Sequence, residues 1–331
     1  MKFEAKYPDA TTQSRHEFEY SYVTKTAKLG QCRFCGSFTK WMDVMFQHHA
    51  CGEECLASMW ASFRADDKGA WLEGHLSAVR AELQAAEEAD DPTKDIIVVV
   101  RDQPEYLREC VETVRANTKN YNLFVWDNAS GEETRRLVER LAEEPNVTTV
   151  RSGTNRGFIE PNNELAGWGD GEYIVLLNSD TKVFDMWDRA MTAFLKANPD
   201  VAQVGYWGGH MGPDGRGFGG ANGYDIDYIP GWCFCLSRKT YEEFGLFDAE
   251  NLRFAYCEDA DLSLRLKEAG KKVYALHAPL VHHYQNKTVV QVEREGEIDL
   301  AATFATNHEY LRRRWADYLA NGRVVAKKRT V

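Results

Sequence analysis

The polar tripeptide Asn178-Ser179-Asp180 directly follows four large aliphatic residues, Ile174 to Leu177. Such a run is typical of a strand that is buried on both faces of a sheet. A carboxylate just past the end of this strand would lie where open α/β sheets bind ligands. Mg²⁺ and Mn²⁺ prefer oxygen ligands, so Asp180 is a candidate for holding a divalent cation against a diphosphate. The alternative is a strand that simply ends in an Asx or Ser/Thr turn.

Further polar clusters occupy comparable positions beside predicted strands and helices. They are Asp127-Asn128-Ala129-Ser130, Asn155-Arg156-Gly157-Phe158, Glu258-Asp259-Ala260-Asp261 and His282-His283. The acidic cluster could take a proton from a reacting hydroxyl, but acidic residues in a first helical turn also cap helices and compensate their dipole. The histidine pair is a candidate metal ligand, or else a surface or core pair.

Four of the eight cysteines are close together in the sequence: Cys32, Cys35, Cys51 and Cys55. A two-residue gap lets the first two thiolates reach one ion, and 15 residues separate the two pairs, which is within the range of structural zinc sites. Because His48 and His49 are nearby, three cysteines and one histidine are an alternative ligand set. The other cysteines, at positions 110, 233, 235 and 257, are predicted to be buried as small apolar side chains.

The composition is that of an ordinary soluble protein, with 44% apolar and 27% charged residues among 331. The longest aliphatic run, residues 96–100, is too short to span a bilayer, and the first nine residues do not resemble a signal peptide. We therefore expect a cytoplasmic protein without a transmembrane segment. A net charge of −11 disfavours non-specific binding to nucleic acid. The basic clusters at 312–314 and 327–329 are interpreted as a solvated helix face and tail.

The chain divides into three predicted regions. Residues 1–92 hold the cysteine cluster and an amphipathic helix at 66–90, which Asp90-Asp91-Pro92 ends. Residues 93–300 alternate strand and helix, and residues 301–331 form a helix and basic tail. The strands of the middle region are predicted at 95–100, 123–126, 147–150, 174–177 and 233–236, and its helices at 104–117, 132–143, 160–167, 238–244 and 258–269. The glycine-rich stretch 207–223 is predicted to be a mobile loop.

Strands separated by helices of this length predict an open, mostly parallel α/β sheet with helices on both faces. The order of its polar clusters resembles the nucleotide-sugar glycosyltransferases of family 2, which have the GT-A fold, and above all their rhamnosyltransferase-like members. The resemblance runs from about Asp95 to Trp315. It rests on Asp127-Asn128, Asn155 with Asn162-Asn163, Leu176-Leu177-Asn178-Ser179-Asp180, Gly245-Leu246-Phe247-Asp248, Glu258-Asp259 with Arg265, His283, and a closing segment from Asn307 to Trp315.

The resemblance implies a role for each matching residue. Asp180 would ligate a divalent metal that bridges the diphosphate, with His283 or its neighbour His282 as a second ligand. Asn178 replaces the first Asp of the family's Asp-Xaa-Asp motif, which leaves one carboxylate there. Asp259 would be the catalytic base, and Glu258 beside it a second catalytic residue. The remaining assignments are to donor binding, for Asn178 and Asp180 together with Asp102, Asp127, Asn155 and Asn163, and to acceptor binding, for Trp232 and Arg265.

The implied activity is inverting, metal-dependent transfer of a hexose or deoxyhexose to an acceptor hydroxyl. The donor would be a UDP-, dTDP- or GDP-linked sugar, and the acceptor a glycan, protein or nucleic acid. The expected metals are Mn²⁺ or Mg²⁺ at the diphosphate and structural Zn²⁺ on the four cysteines. Two alternatives stay open: a nucleotidyltransferase, which would not need a base at Asp259, and a non-catalytic protein whose zinc module binds nucleic acid or protein.

Overall fold

The computed structural model describes residues 14–15, 22–43, 48–65, 69–284 and 298–321. The amino-terminal residues 1–9 and the basic cluster 327–329, on which two of the expectations above depend, lie outside these ranges. The amino-terminal part has a four-stranded antiparallel sheet in the order β1-β2-β3-β4, followed by helices α1 and α2. These elements are Ser14–Arg15, Tyr22–Gln31, Phe38–Asp43 and His48–His49, then Glu53–Ala65 and Gly69–Glu88.

Strands and helices largely alternate along residues 94–197 as predicted, whereas residues 201–237 hold four consecutive strands with no helix between them. Strands β5 to β15 are Lys94–Val100, Tyr121–Asp127, Val147–Arg151, Tyr173–Leu177, Thr181–Val183, Val201–Tyr206, Gly208–Met211, Gly217–Ala221, Cys233–Ser237, Lys272–Leu276 and Val281–His283. Helices α3 to α10 are Pro104–Asn117, Glu132–Leu141, Ile159–Ala166, Trp187–Ala197, Arg238–Phe244, Glu258–Glu268, Leu300–Arg314 and Ala316–Asn321. Helices α3 and α7 have the predicted bounds, and α6 and β10 were not predicted.

Seven of the described strands form the central sheet, in the order β14-β10-β13-β8-β5-β6-β7. Neighbouring strands are parallel except β13, which is antiparallel to both β10 and β8. Alternate residues of β5 point to opposite faces, because side chains alternate along a strand. Ile96 and Val98 join the core cluster on one face, and Ile97 joins the cluster on the other. Helices cover both faces, so the predicted α/β architecture is confirmed.

The glycine-rich stretch is a β-hairpin rather than the predicted loop. Strands β11 and β12 pair antiparallel, with His210 opposite Phe218. Its glycines let aromatic rings lie against the backbone: a Cβ on Gly220 would be 2.1 Å from the Trp207 ring, and one on Gly217 would be 2.2 Å from the Tyr228 hydroxyl. Glycine therefore serves close packing here, and the loop prediction is wrong.

Helix α2 belongs to the core of the central sheet. Its residues Val79, Leu83 and Ala86 are buried in the same cluster as Ile96 and Val98, and the helix packs against α6. The core thus continues across residue 92, where the sequence predicted a domain boundary. In the described ranges no helix is both long and apolar enough to cross a membrane.

Candidate active site

A cavity of about 300 Å³ opens at the carboxyl ends of β5, β6 and β8. This is the edge at which open α/β sheets bind ligands. The cavity brings together seven of the residues that the sequence singled out: Asn155, Asn178, Asp180, Trp232, Glu258, Asp259 and His283. They come from five separate stretches of the chain, so only the fold makes them neighbours.

Asp180 and His283 are held together by a pair of short strands. Strand β9 begins at Thr181 and pairs antiparallel with β15, which places His283 opposite Thr181. The backbone N–H of Tyr284 also donates to the carbonyl of Asp180 at 2.9 Å. As a result His283 Nε2 lies 3.1 Å from Asp180 Oδ1. We call this pair the metal side of the cavity.

The spacing of the metal side fits a divalent cation. Two adjacent ligands of an octahedral ion, each at about 2.1 Å, are about 3.0 Å apart, which is close to the observed 3.1 Å. Of the two candidate histidines, His283 lies on the cavity lining. His282 is 5% exposed and its ring contacts Tyr284 at 4.7 Å.

Trp232 packs flat on the metal side. Its ring is stacked on the imidazole of His283, with centroids 5.1 Å apart and an angle of 13°. The carbonyl of Trp232 accepts a hydrogen bond from the Asn178 N–H at 2.8 Å. One face of the Trp232 ring is therefore covered by the His283 imidazole. This stacking orients the imidazole.

Glu258 and Asp259 form another wall of the cavity, which we call the base side. The Asp259 carboxylate accepts hydrogen bonds from the backbone N–H groups of Gly231, at 3.0 Å, and Ala260, at 2.7 Å. Burial raises the pKa of Asp259, which makes it a better proton acceptor. Burial, and then the charge of Asp259, raise the pKa of Glu258 to about 8. Glu258 Oε2 is buried and has no hydrogen-bond partner among the described residues.

The base side stands on an unusual backbone segment, residues 253–257. Phe254, Tyr256 and Cys257 have φ angles of 63°, 80° and 72°. Such angles cost free energy in residues other than glycine, so surrounding contacts must hold them. Gly157 makes room for this segment, since a Cβ there would lie 2.5 Å from the carbonyl oxygen of Phe254.

Asn307 of α9 holds this segment through four hydrogen bonds. Its Oδ1 accepts from the N–H of Arg253 at 3.0 Å, and its Nδ2 donates to the carbonyls of Arg253, Ala255 and Tyr256 at 2.8, 2.8 and 3.1 Å. Asn307 is fully buried. The sequence drew attention to Asn307 only as part of a closing motif. Its contacts span about fifty residues of sequence, and no local pattern indicates them.

The remaining wall presents amide groups. Asn155 Oδ1 accepts from Asn128 Nδ2 at 2.7 Å and from the N–H of Gly157 at 3.1 Å. Asn155 Nδ2 is buried without a hydrogen-bond partner in the described part of the chain. A buried donor of this kind is costly unless something binds it. Asn155 is therefore suited to donate to a ligand in the cavity.

Four of the other residues singled out by the sequence make protein contacts away from the cavity lining. Asp127 is buried and accepts from the N–H of Ser130 at 2.8 Å and from Arg151. Asp102 accepts from the N–H of Gly131 at 2.6 Å.

Asn163 exchanges two hydrogen bonds with the backbone of Phe247, at 2.8 and 2.9 Å. Arg265 forms an ion pair with Asp261 at 2.8 Å and donates to the carbonyls of Phe244 and Leu246. The donor and acceptor roles of these four residues stay predictions.

The four amino-terminal cysteines converge as a metal site would require. Their sulfur atoms all lie within 4.8 Å of one another. Cys51 Sγ is 3.5 Å from Cys35 Sγ and 3.6 Å from Cys55 Sγ, and the ligands of a tetrahedral zinc site with Zn–S bonds of about 2.3 Å are about 3.8 Å apart. Hydrogen bonds from Ser37 lower the pKa of the Cys35 thiol to about 6, which favours its thiolate, whereas burial raises the pKa of the Cys55 thiol.

The mostly parallel sheet, with its cavity beyond the strand ends, has the arrangement of the GT-A fold. The model of the family "Glycosyl transferase family 2" matches residues 95–229. The match covers 135 of the 331 residues, and over that stretch the chain is similar to this family. The matched stretch includes Asn155 and Asp180 and ends before Asp259 and His283.

The chain is also similar to one curated protein and to solved structures. The chain is 26% identical over 230 residues to O-antigen biosynthesis protein RfbC of Myxococcus xanthus, an alignment that covers 58% of this chain and 17% of that protein. The crystal structure of GalNAc-T7 with UDP, GalNAc and Mn²⁺ has a TM-score of 0.59 at 15% identity, covering 71% of this chain and 50% of that one. The chain thus spans at most half the length of these two proteins.

A further solved structure, the mannosyltransferase PcManGT from Pyrobaculum calidifontis in complex with GDP-Man and Mn²⁺, has a TM-score of 0.49 at 16% identity. That alignment covers 76% of this chain and 83% of the other.

Proposed function

We propose that this chain is an inverting, metal-dependent glycosyltransferase that moves a sugar from a nucleoside-diphosphate donor to an acceptor hydroxyl. One observation carries the proposal: the Asp180–His283 pair and the Glu258–Asp259 pair line the same cavity. The tripeptide 230–232 joins them, because Gly231 donates to Asp259 and Trp232 stacks on His283.

Each side has one task in this transfer. A divalent cation held by Asp180 and His283 would neutralise the charge that develops on the leaving diphosphate. On the base side, Asp259 accepts the proton of the acceptor hydroxyl as that oxygen bonds to C1 of the sugar. The bond between C1 and the diphosphate oxygen breaks, and the nucleoside diphosphate leaves with the bonding electrons. The raised pKa of Asp259 suits this base.

The donor is proposed to be a UDP-, dTDP- or GDP-linked hexose or deoxyhexose. The structural neighbour whose crystals contain UDP and Mn²⁺ supports a nucleoside diphosphate with Mn²⁺. Asn155 is placed to donate to this ligand, and Asp102, Asp127 and Asn163 are proposed to shape the donor site from behind its lining. Trp232 and Arg265 are proposed for the acceptor side. The relative named for O-antigen biosynthesis makes a glycan the first acceptor class to test.

The four cysteines are proposed to bind a structural Zn²⁺, because all four positions of a tetrahedral ion would be filled by protein thiolates. The proposed organisation is a zinc-binding module with a helix at 1–92, a catalytic domain at 93–300 and a carboxyl-terminal helix and tail at 301–331. Metal analysis of the purified protein tests this part. About one zinc per chain supports it, and about zero contradicts it.

The activity is tested by incubating the full chain with labelled nucleotide sugars, with and without Mn²⁺. Mn²⁺-dependent release of the nucleoside diphosphate supports transfer of the sugar to an acceptor or, when no acceptor is present, to water. Conversion of the nucleotide sugar and added pyrophosphate into a nucleoside triphosphate and a sugar 1-phosphate would indicate a nucleotidyltransferase instead. Binding of nucleotide sugar with no turnover of any of the three donor classes would contradict the enzyme proposal.

A further inference from the structure

Helix α2 contributes a buried carboxylate to the loop that leads to the metal side. This helix precedes the sheet in the chain, and the sequence assigned it to the amino-terminal module. Its residue Glu82 is 6% exposed. Its carboxylate reaches residues 277–278, between β14 and β15, and β15 carries His283.

Every hydrogen-bonding group around Glu82 can donate to it. The N–H of His277 lies 3.0 Å from Oε1 and 2.8 Å from Oε2, and the N–H of Ala278 lies 2.8 Å from Oε2. The Tyr274 hydroxyl donates at 3.0 Å, and His277 Nδ1 lies at 2.9 Å. Hydrogen bonds to an ionised acceptor are about twice as strong as neutral ones. Glu82 therefore fixes both the backbone and one side chain of this loop.

The fixed loop is short and continues directly into the metal side. Two residues, Pro279 and Leu280, separate Ala278 from β15. The carbonyl of Leu280 accepts from the N–H of Phe184 at 2.9 Å, so the loop is attached at both ends. A shift of residues 277–278 would displace the start of β15, which sets the position of His283 against Asp180.

We propose that Glu82 is a positioning residue for His283, so that the amino-terminal helix α2 sets the affinity of the cavity for the divalent cation. This inference rests on the proposed function, since the position of His283 matters only if it ligates the cation. It also assigns a task to the amino-terminal region: helix α2 completes the active site through a polar contact in addition to covering the sheet.

The test measures Mn²⁺ binding by isothermal titration calorimetry in the presence of UDP, and in parallel GDP, on the full chain. Partners that orient metal ligands typically change metal affinity about 10–100-fold when they are substituted. Glu82→Gln keeps the shape but replaces one acceptor oxygen by a donor that faces N–H groups. We expect it to weaken Mn²⁺ binding about tenfold. Glu82→Asp, which keeps the charge and withdraws it by one methylene, should fall between Gln and wild type.

Leu83→Ala is the matched control. Leu83 is the next residue of the same helix, is buried in the core, and has no polar group with which to hold the loop. It should lower the melting temperature but leave Mn²⁺ affinity within about twofold of wild type. Glu82 variants that bind Mn²⁺ as tightly as wild type, or a Leu83→Ala protein that loses as much affinity, would overturn the inference. A wild-type protein that binds no Mn²⁺ with either nucleotide would instead overturn the proposed function, and the inference with it.

Discussion

The metal side and the base side of the cavity are built in different ways. The metal side rests on regular structure, because β9 and β15 pair in register and place His283 against Asp180. The base side follows a segment in which three residues have positive φ angles, and the amide of Asn307 clamps that segment. One cavity is thus preorganised by a strand ladder on one wall and by a single buried side chain on the other.

The largest effect is expected from Asp259→Asn, which removes the proton acceptor and keeps the shape. Loss of a general base typically lowers the rate about 10²–10⁴-fold. We expect this loss in kcat with the affinity for Mn²⁺ and nucleoside diphosphate unchanged, measured by turnover assay and calorimetry. Glu258→Gln is the matched control beside it and should reduce kcat much less. An Asp259→Asn protein with near wild-type turnover would place the base elsewhere.

The rate should also depend on pH through the same side of the cavity. Asp259 must be unprotonated to act, and its pKa is raised, so kcat/KM should fall on the acid side at a pH above the ordinary range of an aspartate. Below that pKa the fall should be about tenfold per pH unit. Asp259→Asn should abolish this acid limb. A profile that is flat down to pH 4 would contradict a base with a raised pKa.

Substitutions on the metal side should weaken the binding of Mn²⁺ rather than slow the chemical step. His283→Ala removes one of two candidate ligands, and we expect the half-saturating Mn²⁺ concentration to rise about 10–100-fold. At saturating Mn²⁺ the turnover should largely recover, which distinguishes this variant from Asp259→Asn. His282→Ala, one residue away, is the control and should change the Mn²⁺ requirement little. Equal effects of both substitutions would reject the assignment of His283.

A smaller effect is expected from Asn307, which touches neither substrate nor metal. Asn307→Ala leaves the carbonyls of Arg253, Ala255 and Tyr256 without their donor, at a cost of about 1–3 kcal/mol in the free energy of unfolding. We expect kcat to fall about tenfold while Mn²⁺ affinity stays the same, because only the segment before Asp259 is released. Urea unfolding and turnover measure the two effects. A loss of Mn²⁺ affinity would show that the two sides are not independent.

The smallest effect on turnover is expected at the cysteine cluster. Cys32→Ser with Cys35→Ser should abolish zinc binding and lower the melting temperature of the amino-terminal part. Turnover should stay within about twofold of wild type, because the proposed zinc is structural and closed to substrate. Mass spectrometry of the native protein counts the zinc. Cys233→Ser, at a buried cysteine outside the cluster, serves as the control for thiol loss, and it should keep the zinc.

The sequence predicted the parts of this comparison that depend on local patterns. An apolar strand with a polar tip marked Asp180 as a candidate metal ligand, because that pattern lies within a few residues. The acidic first turn at Glu258 and Asp259 is also typical of helix capping, and only the family resemblance assigned it a catalytic role. The α/β sheet also followed from the alternation of strands and helices.

The supports of the site could not be predicted in the same way. Glu82 acts on a loop almost two hundred residues later, and Asn307 acts on a segment about fifty residues earlier. Neither residue type at its position indicates a partner. The prediction of a loop at the glycine-rich stretch was wrong for a similar reason. Its glycines make room for Trp207 and Tyr228, which lie outside the hairpin strands.

The most direct test of the division between the two sides is an anomalous-scattering map from crystals of the protein grown with Mn²⁺ and a nucleoside diphosphate. The cavity has two places where a carboxylate lies beside another possible metal ligand, Asp180 with His283 and Glu258 with Asp259, and only the first is proposed to hold the cation. We predict a manganese peak in the cavity within bonding distance of both Asp180 and His283. A peak bound by Glu258 and Asp259, or no peak in the cavity, would contradict it.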